Sequence, residues 1–439
     1  MRAEIFRRLR VVTQCHSLGT AALRARGAIA QDACRHTAGA SRALPYGEAV
    51  AGAMITSKRI LMLTHEFPPY PGGVGRYCWN LAAASARAGH RVKVLAPAHA
   101  QHRSEQYRDP PGVEVVHFAG DLFHFRELTA LEQLVEDTLA TDKWDLVHAA
   151  DWPMIAACRH VKLDVAERVA SLHGSDVLLF RHSWRARIAR AHRALRRFEP
   201  LICNSAYTAS LLRSGFPDVP DIRVAPLGVD SQWFEEPTVE AIEAYRLRIG
   251  CSKEDRIILT VARLDERKGH LATLAAIAKL PERDRRNLIY VCVGRSIDTA
   301  YEARIVDAAT ALGVRTVLAG TLPDAELLAA YRTAEVLALC GQEVPQKVEG
   351  FGLVALEGAA QGVPAVVTNV QALPEVVVNG TTGWVCEGND PSRLTVVLSM
   401  ALASSGVPEL REACIAHARQ FTWDRCAQLT YGRRLAAVA

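Results

Sequence analysis

From Arg59 onward, short unbroken apolar runs are separated by stretches of helical spacing, and the whole series occurs twice. An apolar run without polar alternation is buried on both faces, and a parallel sheet covered by helices on either side provides that environment. In the first series "RILMLT", "RVKVLAPA", "VEVVHF", "DLVHAA", "RVASLHG" and "PLICNS" read as strands. The helix "VGRYCWNLAAASARAGH" ends at Gly89, and one long helix is expected ahead of "PLICNS". A Pro-Leu-Gly turn in "IRVAPLGVDSQWF" reads as a linker. The second series follows with strands "RIILTVARL", "NLIYVCVG", "RTVLAG", "EVLALC", "PAVVTN" and "TTGWVCE". Its helices are "HLATLAAIAKL", "AYEARIVDAATALG" and "DAELLAAYRTA". Two doubly wound α/β domains in tandem are expected, spanning residues 54–228 and 229–415. A final helix over residues 416–439 would pack back on the first domain. Ligands of such sheets sit at the carboxyl ends of the strands, so the cleft between the domains is where chemistry is sought.

Charge narrows the partners. The chain of 439 residues carries a net +5, but residues 1–53 hold eight Arg, no Lys and three acidic groups, which is the entire surplus. The remaining residues are formally neutral and give no global case for a nucleic-acid partner. Residues 1–53 are Arg-rich and without sustained periodicity, so disorder is expected there. They have the composition of a transit peptide, and the plainer alternative is a start at Met54. Eleven Cys scattered from Cys15 to Cys426 include no C-x-x-C pair, which suits a reducing compartment. No run approaches the roughly 20 apolar residues of a membrane span. A cytoplasmic protein is expected.

The chemistry-bearing residues fall just after predicted strands. "THEFPPYPGGVGRY" places Gly72 and Gly73 between a strand and a helix start, where free backbone N–H groups suit a phosphate; a plain strand–helix turn is the alternative. "EGFGLVALE" leaves the amides of Phe351, Gly352 and Leu353 at a second helix start. Glu349 and Glu357 flank it eight residues apart, and a carboxylate beside anion donors is better suited to sugar hydroxyls than to phosphate. The competing explanations are a helix-dipole partner for Glu349 and a solvated face for Glu357. "TVARLDERKGH" adds Arg263 and Lys268, two cations that would neutralise a diphosphate if they are not ordinary surface charge. His173 in "SLHGSD" stands at a strand end on the opposite side, in substrate contact or merely structural. No H-E-x-x-H, Cys/His cluster or D-x-D occurs, so neither a dedicated metal site nor a cofactor is expected.

Taken in order, Gly-Gly-x-Gly, "HGSD", "CNSAYTASLL", "PLGVD", "VARLDERKG", "AGTLPDAELLAAYRTAEV" and E-x7-E before "GVPAVVTN" resemble the retaining glycosyltransferases of family 4. The likeness covers nearly all of residues 58–430, and "CGQEVPQKVEGFG" looks most like the branch containing bacterial phosphatidylinositol mannosyltransferases. The resemblance implies the GT-B fold, two Rossmann-like domains facing across a cleft. It implies a nucleoside-diphosphate sugar as donor and a glycan or lipid-linked acceptor on the first-domain side, in glycan biosynthesis. Arg263 and Lys268 would then hold the diphosphate with Gly72, Gly73 and the Phe351–Leu353 amides. Glu357 would take the ribose hydroxyls, Glu349 the donor hexose, and Gly320, Thr321 and Leu322 the base, while His173 approaches the sugar. The family's reaction is usually described as front-face transfer with retention, in which the leaving phosphate helps to take the acceptor proton; a covalent intermediate is the alternative that the sequence leaves open, and Glu349 is read as a positioning residue rather than a nucleophile. The catalytic set is therefore Glu349, His173, Arg263 and Lys268, without a metal. Two departures concern local geometry: Leu339-Cys340 stands where many relatives have Pro-Ser, and Glu357-Gly358 where many have Glu-Ala.

"SWRARIARAHRALRRFEP" reads as a basic amphipathic helix with Trp184, Ile188, Ala191, Leu195 and Phe198 on one stripe. Such a helix suits peripheral contact with the inner face of a membrane, or simply packs on its own domain. Two further functional classes are a sugar-nucleotide epimerase of the same fold and a nucleotide-sugar-binding protein without turnover. No acid–base set suited to epimerisation stands out, and the intact Arg263, Lys268, Glu349 and Glu357 argue against the second.

Overall fold

The computed structural model describes residues 10–12, 57–70, 72–98, 108–120, 124–188, 190–219, 221–388 and 390–432. Its first sheet contains β2 (Arg59–Leu63), β3 (Arg91–Pro97), β4 (Val113–Phe118), β5 (Leu146–Ala149), β6 (Glu167–Leu172), β7 (Leu201–Cys203) and β8 (Ile222–Val224). They are all parallel, in the order β4-β3-β2-β5-β6-β7-β8. β2 is apolar and buried from Ile60 to Leu63 and β5 is buried throughout, His148 included, while edge strand β4 keeps Glu114 and Val116 in solvent. The second sheet holds β9 (Arg256–Val261), β10 (Leu288–Val293), β11 (Thr316–Gly320), β12 (Val336–Leu339), β13 (Ala365–Thr368) and β14 (Gly383–Cys386). These run in the order β11-β10-β9-β12-β13-β14, again all parallel. In each sheet the strand order reverses beside the first strand, at β2/β5 and at β9/β12. The crevices at those reversals face the cleft.

Three parts of the sequence behave differently from expectation. Residues Arg10–Val12, labelled β1, lie in the segment expected to be disordered, yet they pair antiparallel with Thr316–Leu318 at the second sheet's edge. The other expectations for residues 1–53 fall outside the described residues, apart from these three. The presumed linker begins with a strand, because Ile222–Val224 adds to β7 as β8. The single basic helix is broken into Trp184–Ile188, Ala191–Ala194 and a 3₁₀ turn at Leu195–Arg197, with Arg190 in the left-handed region at φ 53°. The break turns Ala191, Ala194, Leu195 and Phe198 onto the domain core and leaves Trp184 65% exposed under Arg185. Arg197 donates to the Val161 carbonyl at 2.5 Å rather than standing in water. Of the two readings of this stripe, packing on its own domain accounts for Ala191, Ala194, Leu195 and Phe198. Among the described residues, no helix is long and apolar enough to cross a membrane.

The chain crosses between domains twice, and the crossings pack on each other. Val229 donates its N–H to the Phe421 carbonyl at 2.9 Å, and Trp423 donates its indole N–H to Asp230 at 2.6 Å. Helix Trp423–Tyr431 then lies on helix Gly73–Arg87 of the first domain, where Arg87 meets Asp424 at 2.7 Å. Its last residue reaches a buried polar chain. Tyr431 OH and His148 Nδ1 are 2.7 Å apart, His148 Nε2 and Ser171 Oγ 2.7 Å, and Ser171 Oγ and Tyr77 OH 2.7 Å. Burial, reinforced by His173, pushes His148 down to about 3, so it is neutral at physiological pH. Leaving a nitrogen of this buried imidazole unpaired would cost the desolvation that its partner now offsets. Tyr431→Phe is therefore expected to lower the unfolding free energy by about 1–3 kcal/mol, seen as an earlier urea midpoint. An unchanged midpoint would show that the tether contributes nothing.

Candidate functional site

The cleft is built from the loops that leave β2, β6, β9 and β12 at their carboxyl ends. Its lips touch at two glycines, where little or no side chain separates them. A Cβ on Gly350 would stand 2.2 Å from the His173 carbonyl oxygen, and one on Gly174 would stand 2.7 Å from Val348 Cγ1. The contact is reinforced nearby, where the Glu375 carboxylate of the second domain accepts from the Ala206 and Tyr207 amides at 2.8 and 2.7 Å. Those amides open helix Ala206–Gly215 of the first domain, so one domain caps a helix of the other.

Glu349 lies one residue before this contact and is 9% exposed. Lys268 Nζ is 2.5 Å from its Oε2 and an Arg267 terminal nitrogen is 3.2 Å away. Burial alone would raise the carboxyl, but Lys268 and Arg267 reverse this and hold it below the usual range. Glu349 is therefore an anion held by two cations. Burial likewise lowers Lys268, against the pull of Glu349. Arg263 is exposed and has no carboxylate within ion-pair distance among the described residues. His173 is fixed on the other lip: its Nε2 is 2.9 Å from the Ala150 carbonyl, its N–H donates to Asp176 at 3.0 Å, and Tyr77 packs edge-on at 4.8 Å. Toward the Ala150 carbonyl Nε2 can act only as a donor, which fixes the orientation of the ring.

Gly352 adopts φ 88° to open helix Leu353–Ala360, a left-handed turn that a side chain resists. Glu357 on that helix is 3% exposed, so it is no solvated face. Its Oε2 accepts from Tyr331 OH at 2.7 Å and its Oε1 lies 3.5 Å from Arg76 of the first domain. Burial nonetheless raises its pKa against the opposing Arg76 and Tyr331. Gly358 fits this arrangement, since a Cβ there would press Leu337 at 3.2 Å and Tyr331 at 3.6 Å. Gly72, Gly73, Leu353 and Glu357 line a cavity of about 1250 Å³ with Arg76 and Asp324. Ligand pockets of about 300–1,000 Å³ hold drug-sized molecules, so this one has room for a nucleotide. Glu349, Lys268, Arg263 and His173 do not line it, and neither do Gly320, Thr321 or Leu322. Gly320 and Thr321 are exposed at the end of β11, whereas the Leu322 side chain is buried in the core. Among the described residues, no group of three or more His, Cys, Asp or Glu is arranged to hold a metal ion.

Several participants escape the sequence. Arg267 beside Glu349 is overshadowed there by its neighbour Lys268. Arg76 is visible in "GGVGR" but meets Glu357 and Asp324 (3.5 Å) only because the domains face each other. Glu66 sits inside the first glycine motif, where nothing in the neighbouring residues marks it for a role.

Two family models divide the chain much as the sheets do. The glycosyltransferase family 4 model matches residues 71–233 and the model for group 1 glycosyl transferases matches residues 242–421. The glycogen synthase of Mycobacterium tuberculosis is 30% identical over 425 residues, covering 86% of this chain and 95% of its own. The chain belongs to the family 4 glycosyltransferases. Another member, the D-inositol 3-phosphate glycosyltransferase of Corynebacterium diphtheriae, is 26% identical over 81% of this chain and 88% of its own. Among solved structures, sucrose-phosphate synthase from Thermosynechococcus elongatus superposes with TM-score 0.69 at 21% identity, covering 84% of this chain and 96% of the other. HepE of Anabaena in complex with UDP-glucose gives 0.67 at 19%, covering 84% and 97%. These likenesses show the GT-B fold in this glycosyltransferase.

The glycine contact at the lips generates a test. Gly350→Ala places a methyl against a carbonyl oxygen and is expected to wedge the domains apart at a cost of about 1–3 kcal/mol. Small-angle scattering would show a larger radius of gyration and thermal unfolding an earlier transition. Unchanged values in both would mean that the contact is not maintained in solution.

Proposed function

We propose that this enzyme transfers a hexose, with retention, from a nucleoside-diphosphate sugar to a hydroxyl of a glycan or lipid-linked acceptor. The observation that carries the proposal is the cluster around Glu349, where Lys268 and Arg267 converge on one buried carboxylate with Arg263 uncommitted nearby. An ion pair this buried costs desolvation, and a simple hydrophobic contact would stabilise the loop as well. Kept at a strand end in a cleft, it supplies cations for a leaving diphosphate and a carboxylate for sugar hydroxyls. The relatives' names, from D-inositol 3-phosphate glycosyltransferase to glycogen synthase, support an acceptor rich in hydroxyls. HepE, of the same fold, binds UDP-glucose.

In this scheme the anomeric carbon–oxygen bond to the diphosphate breaks and the electron pair leaves with the phosphate, while the acceptor oxygen bonds to that carbon on the same face and its proton passes to the leaving phosphate oxygen. Lys268 and Arg263 stabilise that charge in place, without a metal ion in the role, and such preorganised electrostatics is usually the largest catalytic contribution. The Gly72, Gly73 and Phe351–Leu353 amides complete the anion seat. Glu357 accepts from the ribose hydroxyls, exchanging its contact with Arg76 for a diol. Glu349 positions the hexose from the second domain and His173 from the first. The base rests on the backbone of Gly320, Thr321 and Leu322. Trp184 and its neighbouring arginines remain the surface available for peripheral membrane contact.

The test separates transfer from binding. With UDP-glucose, GDP-mannose and ADP-glucose as donors, Glu349→Gln is expected to slow sugar release about 10²-fold or more. Nucleoside-diphosphate affinity should change little, because the diphosphate cations remain. Equal loss of both would mean that Glu349 does not act by positioning the hexose.

A further inference from the structure

Glu66 stands three residues beyond β2, at the reversal of the first sheet. Its N–H donates to Thr64 Oγ1 at 3.2 Å, and Thr64 is itself held to Asp151 at 2.9 Å. The carboxyl then folds over the glycine loop, since a Cβ on Gly72 would stand 2.7 Å from its Oε2. A Cβ at Gly72 would therefore displace the flexible end of Glu66, while the φ of −168° is ordinary extended backbone. No group among the described residues hydrogen-bonds to the Glu66 carboxyl, although the residue is half-buried. It is faced by Asp151 at the start of helix Trp152–Ala157, Asp176 in helix Ser175–His182, Cys78 in helix Gly73–Arg87 and Arg263 after β9. Arg263 is the one positive group of the four.

A carboxylate in this position conflicts with the proposed diphosphate seat, which is formed by the Gly72–Gly73 amides and Arg263. We propose that Glu66 meets the donor as a neutral carboxylic acid: binding of a nucleoside-diphosphate sugar takes up a proton on Glu66, whose O–H then donates to the diphosphate. The inference rests on that donor site. Burial first, then Asp151 and Asp176, already raise Glu66 to about 7 in the empty protein, with Arg263 opposing them. A bound diphosphate adds negative charge beside the carboxyl and engages Arg263, which removes the opposing influence. Both changes drive the pKa higher and favour the protonated form. A carboxylic acid kept neutral by its surroundings can serve as a hydrogen-bond donor to developing negative charge. No proton need transfer to the sugar nucleotide.

The linkage sets the pH window. Below about 7 the empty protein carries the proton already, so donor affinity is flat. Above it each binding event must take up a proton, and affinity falls by about tenfold per pH unit until the pKa of the complex is reached. Calorimetry on the full-length protein with UDP-glucose, GDP-mannose and ADP-glucose, at pH 6 to about 8.5 in two buffers of different ionisation heat, counts that proton directly. The diphosphate diester of these probes does not titrate near neutrality. Wild-type protein is expected to take up close to one proton at pH 8. Glu66→Gln, which keeps the shape and a permanent donor, should take up none and bind with an affinity independent of pH. Proton uptake that is absent in wild type, or unchanged in Glu66→Gln, overturns the proposal. So does loss of binding at every pH in a Glu66→Gln protein with a normal thermal transition. If wild type binds none of the three probes, the proposed donor site fails and this inference fails with it.

Discussion

Gly350 lacks a Cβ at a point where the His173 carbonyl oxygen leaves no room for one, and Gly174 does the same against Val348. Backbone meets backbone at the first of these contacts and a side chain at the second, and together they set how closely the two domains approach. Three of the candidate site residues adjoin this contact in the chain. Glu349 precedes Gly350, His173 precedes Gly174, and the helix carrying Glu357 begins three residues after Gly350. The Glu375 carboxylate that caps helix Ala206–Gly215 holds the same junction from the side. Packed contacts of this kind have discrete alternatives rather than graded ones, so opening the cleft means breaking them together.

The charges inside that frame are distributed by sign. Lys268, Arg267 and Arg263 gather after β9, and carboxylates close the other sides. Where a carboxylate is paired, as Glu349 is, it stays ionised despite burial. Where cations are distant or few, burial dominates, and both Glu357 and Glu66 are pushed up. One fold thus holds three cleft carboxylates in three electrostatic settings, separated by which cation stands beside each. The Arg76 bridge to Glu357 and Asp324 joins the domains at the far end of the cavity, where the nucleoside is proposed to lie.

The architecture was legible from the sequence because its signal is local. "RILMLT", "RIILTV" and "NLIYVCV" are apolar on both faces, and their fates as β2, β9 and β10 follow from the need to bury both sides. The order of motifs likewise pointed to the family. Failures occurred where local periodicity met a tertiary demand. The stripe from Trp184 to Phe198 has helical spacing, yet a left-handed turn at Arg190 breaks it so that Leu195 and Phe198 reach the core. "IRV" was too short to stand out as a strand, and it becomes one only because β7 offers a free edge.

The sequence by itself determined two parallel-sheet domains, the glycine loops, and which carboxylates and cations lie at strand ends, because burial pattern and turn chemistry are written in neighbouring residues. It could not determine which of those charges pair. Glu349 takes Lys268 and Arg267 from some 80 positions earlier, and Glu357 takes Arg76 from the other domain. Nor could it show that half-buried Glu66 lies over Gly72 with Arg263 facing it. Electrostatic character depends on distance and desolvation, and both exist only once the two domains have closed on each other.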